Sequence, residues 1–327
     1  MKLFLFFTNS NIMKEEFIKP KKIKKGECIG IVSPSSPQKD ETRLLNGVKY
    51  FESLGYNVIL GKNVFNRYGY LAGSDLERAS DINDMINNPL VKMIIAGRGG
   101  YGVTRILDKI DYKSLRKNPK IIIGFSDITA LNFAISKKCK LVNFTGAMPG
   151  VDFWDLENIP TMTEDYFWRC ITSTKPLGVI KQNIEMKTRK KGETIGKLFA
   201  GNLTLIASIC GSKYFPNLKN QLLLIEEIGE EPYRVDRLLS QLFNSNHLKN
   251  LSGLLFGAFT DAKPLKISVE SLSIDDVINH YANKFNLPCI SNVEYGHIYP
   301  KLTLPIGVKS SLNATKCIFS ILENSVE

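Results

Sequence analysis

Ser126 stands where a strand-to-helix turn could present a nucleophile. Within residues 120–129 a short apolar strand ends at Gly124, and the serine follows two residues later, ahead of an apolar run at helical spacing. Such a turn lifts a side chain off the carboxyl end of a sheet and leaves backbone N–H groups free to face it. Acyl transfer requires these parts, namely an attacking hydroxyl and donors for an oxyanion.

The match to the Gly-x-Ser-x-Gly elbow is partial. Ile128 occupies the position of the second glycine, and Asp127 follows the serine directly. A serine before an apolar-periodic run is also a common helix N-cap. Taken alone, the motif therefore favours a cap over a nucleophile.

A glycine-rich loop follows another predicted strand. The apolar residues 91–96 run into residues 97–102, which include four glycines. Such a loop can present N–H groups to a phosphate or to a developing oxyanion. It has neither the Gly-Lys-Ser/Thr of a Walker loop nor the Gly-x-Gly-x-x-Gly spacing of a dinucleotide site. A tight turn between strand and helix explains the glycines equally well.

Two adjacent carboxylates follow a third apolar run. Residues 222–225 predict a buried strand, and Glu226 and Glu227 emerge at its carboxyl end. A carboxylate in this place can orient a histidine. The alternative is an acidic loop that favours the N-terminus of a helix beginning near Pro232. Because the two glutamates are adjacent, the choice between them stays open.

The chain contains three histidines, from which a serine hydrolase would draw its general base. His247 and His280 lie in polar helix or helix-end contexts, whereas His297 lies in a loop marked by glycine and proline. Loops of this kind carry function on a rigid scaffold. The serine, the carboxylates and this histidine are weak signals singly, but together they indicate a Ser-His-carboxylate site.

The elements around these residues must bring them together. From Glu27 onward, short apolar runs alternate with helical patterns, including a helix that we expect over residues 101–110. Strands separated by helices of this length predict a parallel sheet covered on both faces. Ligands of such sheets bind at the carboxyl ends of the strands, where Ser33, the 97–102 loop and Ser126 fall.

The sequence pattern changes between residues 152 and 191, where tryptophans, prolines and a basic stretch interrupt the alternation of strands and helices. This change predicts a domain crossover. A second segment with strands and helices follows it. The predicted divisions are a disordered or adventitious leader, a nucleophile domain, a linker and a C-terminal domain carrying the glutamate and histidine, at residues 1–13, 14–172, 173–192 and 193–327.

Composition narrows the classes of function. The formal net charge of +11 comes from lysines spread along the chain, with dense clusters only at residues 19–25 and 187–191. Neither cluster interleaves aromatic residues, which argues against a nucleic-acid platform. The six scattered cysteines fit thiols in a reducing compartment. We therefore expect a cytoplasmic protein that binds neither nucleic acid nor membrane.

Together, these motifs resemble the LD-carboxypeptidase family of serine peptidases, which includes muramoyltetrapeptide carboxypeptidases and microcin-immunity peptidases. The resemblance extends from about Gly26 to Ile321. Its landmarks are short motifs rich in serine, glycine, glutamate and arginine, at residues 33–37, 97–102, 124–127, 201–203, 224–230, 233–237 and 296–297. Their order along the chain makes them specific as a set.

The resemblance implies an α/β protein with a flavodoxin-like parallel sheet in its N-terminal domain and a smaller, swivelling β/α C-terminal domain. It implies Ser126 as the nucleophile and His297 as the general base and acid. A glutamate holds the imidazole in this family, here Glu226, with Glu227 as the fallback. The triad would then be split between the two domains.

The resemblance also implies an oxyanion hole made by the backbone N–H groups of Asp127 and Gly100. Arg98 and Tyr101 are the candidate substrate-binding residues, and Arg98 could pair with a free carboxylate. The implied reaction, part of peptidoglycan recycling, hydrolyses the amide between the L-centre of a diamino acid and the terminal D-alanine of a murein tetrapeptide. It passes through an acyl-enzyme without metal or cofactor, in what we expect to be a homodimer.

Other functions stay open. A microcin-immunity-type peptidase would use the same triad on a peptidyl or aminoacyl nucleotide, with Trp154 or Trp168 against the base, although ordinary packing is the commoner role of tryptophan. A non-catalytic basic protein would bind nucleic acid with steep salt dependence. An amidotransferase-like domain is disfavoured because its chemistry uses a cysteine where this chain has Ser126.

Overall fold

The computed structural model describes residues 16–264 and 270–327, which form two β-sheets with helices packed against them. The predicted leader, residues 1–13, lies outside the described residues. One continuous cluster of buried apolar side chains extends through both sheets and the helices that cover them. The chain is thus an α/β protein, as the sequence predicted.

The first sheet contains six strands of the described chain. Numbered along the chain and given in spatial order, they are β2 (Asn57–Leu60), β1 (Cys28–Val32), β3 (Val91–Ala96), β4 (Ile121–Gly124), β5 (Asn143–Thr145) and β12 (Leu304–Ile306). Strands β1 to β5 run parallel in the 2-1-3-4-5 order of flavodoxin-like folds. Central strands such as β1 and β4 are buried throughout, which explains their unbroken apolar sequences.

Helices connect these strands. They are α1 (Glu41–Ser53), α2 (Asp75–Asn87), α3 (Tyr112–Lys117), α4 (Thr129–Cys139), α5 (Pro149–Asp152) and α6 (Thr161–Thr172). The first two begin at side-chain caps, because Asp40 accepts from the N–H of Thr42 and Ser74 forms a capping box with Glu77. Local sequence thus fixes where these two helices start, and the parallel strands fix where they pack.

The expectation of a single helix over residues 101–110 is wrong. Two 3-10 turns, Val103–Arg105 and Leu107–Lys109, occupy this stretch. Ile106 separates them with a φ of −114°, which is outside the helical range. Side chains three residues apart share a face in a 3-10 turn as they do in an α-helix, so that the apolar spacing could not distinguish the two.

The second sheet contains eight strands of the described chain. In spatial order they are β6 (Gly178–Val179), β14 (Ile318–Ile321), β13 (Lys309–Asn313), β8 (Glu193–Asn202), β9 (Leu222–Ile228), β10 (Gly253–Thr260), β11 (Cys289–Ser291) and β7 (Lys187–Lys190). The central strands β8 to β11 are parallel, and antiparallel strands flank them. Its helices are α7 (Leu203–Ile209), α8 (Pro232–Asn244) and α9 (Ile274–Phe285). The stretch 173–192, expected to be a linker, supplies the two edge strands β6 and β7.

The chain returns from the second sheet to the first through residues 292–303. This segment leaves β11 and leads into β12, which pairs antiparallel with β5 at the edge of the first sheet. Thr303 fixes the end of the crossing, because its hydroxyl accepts a hydrogen bond from the N–H of Ala147 at 3.2 Å. The segment is therefore anchored in one sheet at each end, and it carries His297.

Gly146→Ala tests how tightly β12 is held against β5. A Cβ at this position would lie 2.2 Å from Thr303 Oγ1 and 2.6 Å from its Cα, so that backbone has to move. Overpacking of this kind costs about 1–3 kcal/mol, and we expect a loss of that size in urea unfolding.

Gly26→Ala serves as the comparison, because no atom lies within 4 Å of its added Cβ and only the positive φ of 84° is penalised. A loss for Gly146→Ala no larger than for Gly26→Ala would mean that β12 is free to shift.

Candidate active site

Ser126 lies at a strained turn beyond β4. Its φ is +64°, a left-handed value that is uncommon for residues other than glycine. It opens a 3-10 turn, Ser126–Ile128, that leads into α4. A Cβ at Gly124 would lie 2.5 Å from the Ile128 side chain, so that the isoleucine fills the space beside the one glycine of the motif. The turn therefore presents a serine as an elbow does, without a second glycine.

His297 connects this serine to a carboxylate. Its Nε2 lies 3.0 Å from Ser126 Oγ, and its Nδ1 lies 2.7 Å from Glu226 Oε2. The Glu226 side chain is fully buried, while that of His297 retains 20% of its exposure. With Nδ1–H donating to the carboxylate, the Nε2 lone pair faces the serine hydroxyl and can accept its proton.

Glu227 points elsewhere, because successive residues of a strand face opposite sides of the sheet. Its carboxylate accepts hydrogen bonds from Asn202 Nδ2 at 2.8 Å, from the N–H and hydroxyl of Thr204 at 2.8 and 2.7 Å, and from the N–H of Ile228 at 2.9 Å. Burial raises the pKa of Glu227, and these hydrogen bonds oppose the shift. Glu227 thus secures the start of α7, while Glu226 contacts the histidine.

The glycine loop lies against the serine. A Cβ at Gly99 would lie 2.9 Å from Ser126 Cβ, so that only glycine allows this approach. Gly100 has a φ of +130°, and a Cβ there would lie 2.3 Å from Ser36 Oγ. That hydroxyl also accepts from the N–H of Tyr101 at 3.1 Å. The backbone of the loop is therefore held next to the nucleophile.

The two candidate substrate-binding residues flank this loop. Arg98 is half-buried and donates from Nη1 to the carbonyl of Pro37 at 3.0 Å. Burial lowers the pKa of Arg98, although a guanidinium keeps its charge in proteins. Tyr101 is exposed, and its ring meets that of Tyr70 edge-on with 5.5 Å between centroids.

Asp127, whose N–H is the other oxyanion candidate, uses its side chain to join three loops. The buried carboxylate accepts from Ser35 Oγ at 2.7 Å and from the N–H of Val103 at 2.9 Å. Burial raises the pKa of Asp127, and the two hydrogen bonds oppose this. Sequence reasoning found the loops but not this side-chain role, although Ser35 belongs to a motif that it singled out.

Arg78 is a further buried group that the sequence did not identify. Its Nη1 donates to the carbonyl of Pro34 at 2.5 Å and to that of Gly102 at 3.0 Å. It thereby links the serine-proline motif to the glycine loop, and its ion pair with Asp75 at 2.5 Å balances its charge. A single arginine within the helix α2 pattern carries no signal for such a contact.

Both tryptophans contact other side chains of the protein. The guanidinium of Arg43 lies 4.0 Å from the centre of the Trp154 ring, which it covers. Trp168 stacks on Tyr56 with 5.0 Å between ring centroids and donates from Nε1 to the hydroxyl of Tyr50 at 2.9 Å. Both side chains therefore pack within the protein.

Comparison with known proteins identifies the family. The protein-family model for the LD-carboxypeptidase N-terminal domain matches residues 29–146. The family model for the LD-carboxypeptidase C-terminal domain matches residues 195–312. The chain belongs to the LD-carboxypeptidase family. The resemblance seen in the sequence is thereby confirmed, and the chain is a serine-type carboxypeptidase with the two-domain fold of that family.

Relatives of this LD-carboxypeptidase cover nearly all of it. The probable murein peptide carboxypeptidase of Bacillus subtilis is 35% identical over 298 residues, which are 91% of this chain and 92% of that protein. The structure of muramoyltetrapeptide carboxypeptidase from Oxalobacter formigenes aligns with a TM-score of 0.79 at 29% identity, over 90% of this chain and 97% of that one. Wild-type microcin C7 self-immunity protein MccF, known from Escherichia coli, aligns with a TM-score of 0.83 at 25% identity, over 95% and 100%.

None of the LD-carboxypeptidase helices in residues 16–264 and 270–327 combines the length and the apolar character needed to cross a bilayer. All six cysteines are unpaired. The core cysteines have a raised pKa because burial disfavours the thiolate, as at Cys170 and Cys289. These thiols therefore act as small apolar side chains.

Exchanging each of the two adjacent glutamates for glutamine should separate their roles. Glu226→Gln replaces the acceptor on His297 Nδ1 with an amide, which we expect to lower kcat by about 10²–10⁴-fold at little cost to stability. Glu227→Gln places an amide N–H₂ among four donors, so that we expect a loss of about 2 kcal/mol in unfolding free energy and a kcat within a few-fold of wild type.

Steady-state hydrolysis of a peptide and urea unfolding of the same preparations measure both effects. The opposite pattern, with activity lost in Glu227→Gln and retained in Glu226→Gln, would reverse the assignment.

Proposed function

We propose that this chain removes the terminal D-alanine from murein tetrapeptides by cleaving its amide bond to the L-centre of the diamino acid, in peptidoglycan recycling. The observation that carries the proposal is the continuous Ser126, His297, Glu226 chain of contacts, at 3.0 and 2.7 Å. The 35% identity to a probable murein peptide carboxypeptidase supports the substrate class. Recycling of internalised wall fragments fits a cytoplasmic enzyme with unpaired thiols.

Acylation begins at Ser126. His297 Nε2 takes the hydroxyl proton as Oγ attacks the carbonyl carbon, and Glu226 stabilises the imidazolium that results. The N–H groups of Asp127 and Gly100 donate to the oxyanion of the tetrahedral intermediate. The imidazolium then protonates the leaving amine, and free D-alanine departs from an acyl-enzyme.

Deacylation repeats the sequence with water. His297 takes a proton from the water that attacks the ester and returns it to Ser126 Oγ. The tripeptide that remains of the substrate then leaves with a free carboxyl group. The same oxyanion donors serve both halves. The buried side of the imidazole keeps its contact with Glu226 throughout, so that the ring stays in one orientation.

A carboxypeptidase has to recognise a free carboxylate. Arg98 precedes the glycine loop directly, and its Nη1 is fixed by the carbonyl of Pro37. A guanidinium held in place pairs with a carboxylate at little entropic cost. We assign the terminal carboxylate of the substrate to Arg98, and contact with the neighbouring part of the peptide to Tyr101.

Release of free D-alanine from a murein tetrapeptide tests the proposal. We expect release by the wild type at neutral pH with chelator present, and a fall of about 10³-fold or more in Ser126→Ala, because the nucleophile is lost. A tetrapeptide ending in L-alanine is the control for stereochemistry and should remain intact.

Aspartyl sulfamoyl adenosine, which is bound in a structure of MccF, distinguishes the alternative. Calorimetric binding of this compound without any D-alanine release would overturn the proposal in favour of an immunity-type peptidase. If the chain neither binds this compound nor releases D-alanine, the murein tetrapeptide is not its substrate.

Gly99→Ala tests the close approach of the loop to the nucleophile. The added Cβ would lie 2.9 Å from Ser126 Cβ and 3.1 Å from the carbonyl oxygen of Phe125, so that the serine shifts relative to His297. A displacement of this size costs about 10²-fold in kcat. Circular dichroism and thermal unfolding of the variant establish that the fold is kept, and an unchanged kcat would contradict the role given to the loop.

A further inference from the structure

A buried lysine and a buried aspartate lie beside the triad and take no part in the mechanism above. Lys301 retains 5% of its exposure and Asp152, the last residue of α5, retains 4%. Charged side chains are rarely buried to this degree unless their charge is balanced. Lys301 follows His297 by four residues, on the segment that crosses between the sheets.

Lys301 contacts the neighbours of both reacting residues. Its Nζ donates to the carbonyl of Gly296 at 2.5 Å, directly before His297. The same ammonium lies 4.1 Å from the centre of the Phe125 ring, directly before Ser126, in cation–π geometry. The lysine thus spans the two backbone segments whose separation determines the distance from imidazole to hydroxyl.

The backbone that carries the histidine needs such support. Gly296 has a φ of +152°, and a Cβ there would lie 2.8 Å from the Cβ of Ala258. Hydrogen bonds also join the loop to β10, among them those from the N–H of Ala258 to the Tyr295 carbonyl at 2.8 Å and from Thr260 Oγ1 to the His297 carbonyl at 3.2 Å. The ammonium of Lys301 therefore binds the carbonyl of Gly296, at a position where a side chain would clash.

Two buried carboxylates, Glu226 and Asp152, lie near Lys301. Glu226 is fully buried, and within the described residues its Oε1 has no hydrogen-bond partner. The Lys301 ammonium attracts both Glu226 and Asp152; this attraction opposes the lowering of the pKa of Lys301 by burial. Burial raises the pKa of Asp152, and attraction to Lys301 and His297 opposes that shift. The histidine therefore lies within one buried cluster of charges.

The other ionisable groups near this cluster are the phenols of Tyr295 and Tyr299; burial and the charge of Asp152 raise the pKa of Tyr299. Tyr295 is fully buried, and burial together with the charge of Glu226 raises its pKa well above the ordinary value. Its hydroxyl is within 2.7 Å of Thr145 Oγ1. The charges that face His297 therefore come from β9, from α5 and from its own loop, as Glu226, Asp152 and Lys301.

We propose that Lys301 is a positioning residue of this active site, which holds the Gly296–His297 backbone against Phe125 and Ser126. The catalytic consequence rests on the function proposed above, whereas the effect on the histidine does not.

Lys301→Met tests the positioning role. It keeps the apolar stem against Phe125 but removes the donor to the Gly296 carbonyl, so that the backbone before His297 loses one of its supports. We therefore expect the imidazole NMR signals of His297 to move in this variant at a fixed pH. Asp152→Asn is the control and should move them less, because it keeps an oxygen that can accept from the N–H of Met148 and leaves both contacts of Lys301 in place.

NMR spectra of the imidazole signals measure this without any substrate. The chain has only three histidines, so that His297→Gln identifies the signal of interest, and His247 and His280 serve as internal references. Unmoved references also show that each variant is folded. His297 signals that stay in place in Lys301→Met, or that move as far in Asp152→Asn, would overturn the proposal, and if Lys301→Met does not fold, Lys301→Gln, whose side chain is one atom shorter than that of lysine, is measured in its place with the same expectation.

D-alanine release at a fixed pH supplies the catalytic half of the test. Lys301→Met should lower kcat by about tenfold with a smaller change in KM. A wild type that releases no D-alanine would refute the proposed function and leave the NMR result standing. Moved NMR signals with an unchanged kcat would refute the effect of Lys301 on catalysis.

Discussion

The imidazole of His297 has to contact groups from two different sheets at once, and the rest of the structure meets this constraint. Ser126 stands at the end of β4 in the first sheet, and Glu226 lies in β9 of the second. The ring between them leaves 3.0 Å to the hydroxyl and 2.7 Å to the carboxylate, so that a shift of one sheet by an ångström would break one contact. The crossing segment, the pairing of β12 with β5 and the buried Lys301 all act on this geometry.

Adjacent carboxylates at the end of one strand serve unrelated purposes. The pleat directs Glu226 toward the histidine, where it is a nearly bare anion, and Glu227 toward four donors, where it is fully satisfied. Solvation accounts for the difference. A carboxylate with few hydrogen bonds can stabilise a neighbouring imidazolium, because its charge is not already neutralised by other donors. A carboxylate with four donors is suited to holding a helix start in place.

Much of this arrangement could be read from the sequence, and the exceptions share a cause. Apolar runs in the sequence predict parallel strands that are buried on both faces. Ser126 and His297 stand in loops whose glycines indicate close approach of the backbone. The choice between Glu226 and Glu227 depends on which face of β9 meets the first sheet, which spacing does not encode. The edge strands β6 and β7 are short and polar, and β12 completes a sheet formed mainly by distant residues. The role of Lys301 could not be predicted from the sequence for the same reason, since its contact with Phe125 joins residues that are far apart along the chain.

The return of β12 to the first sheet also orders events in time. A chain made from its N-terminus can form β1 to β5 and the turn of Ser126 long before β12 is synthesised. Until then the sheet has an open edge and the serine has no base, because His297 lies on the segment that β12 draws across. A nascent or prematurely terminated chain therefore carries an inert hydroxyl. Hydrolytic competence is therefore acquired only when the crossing segment has brought His297 to the first sheet.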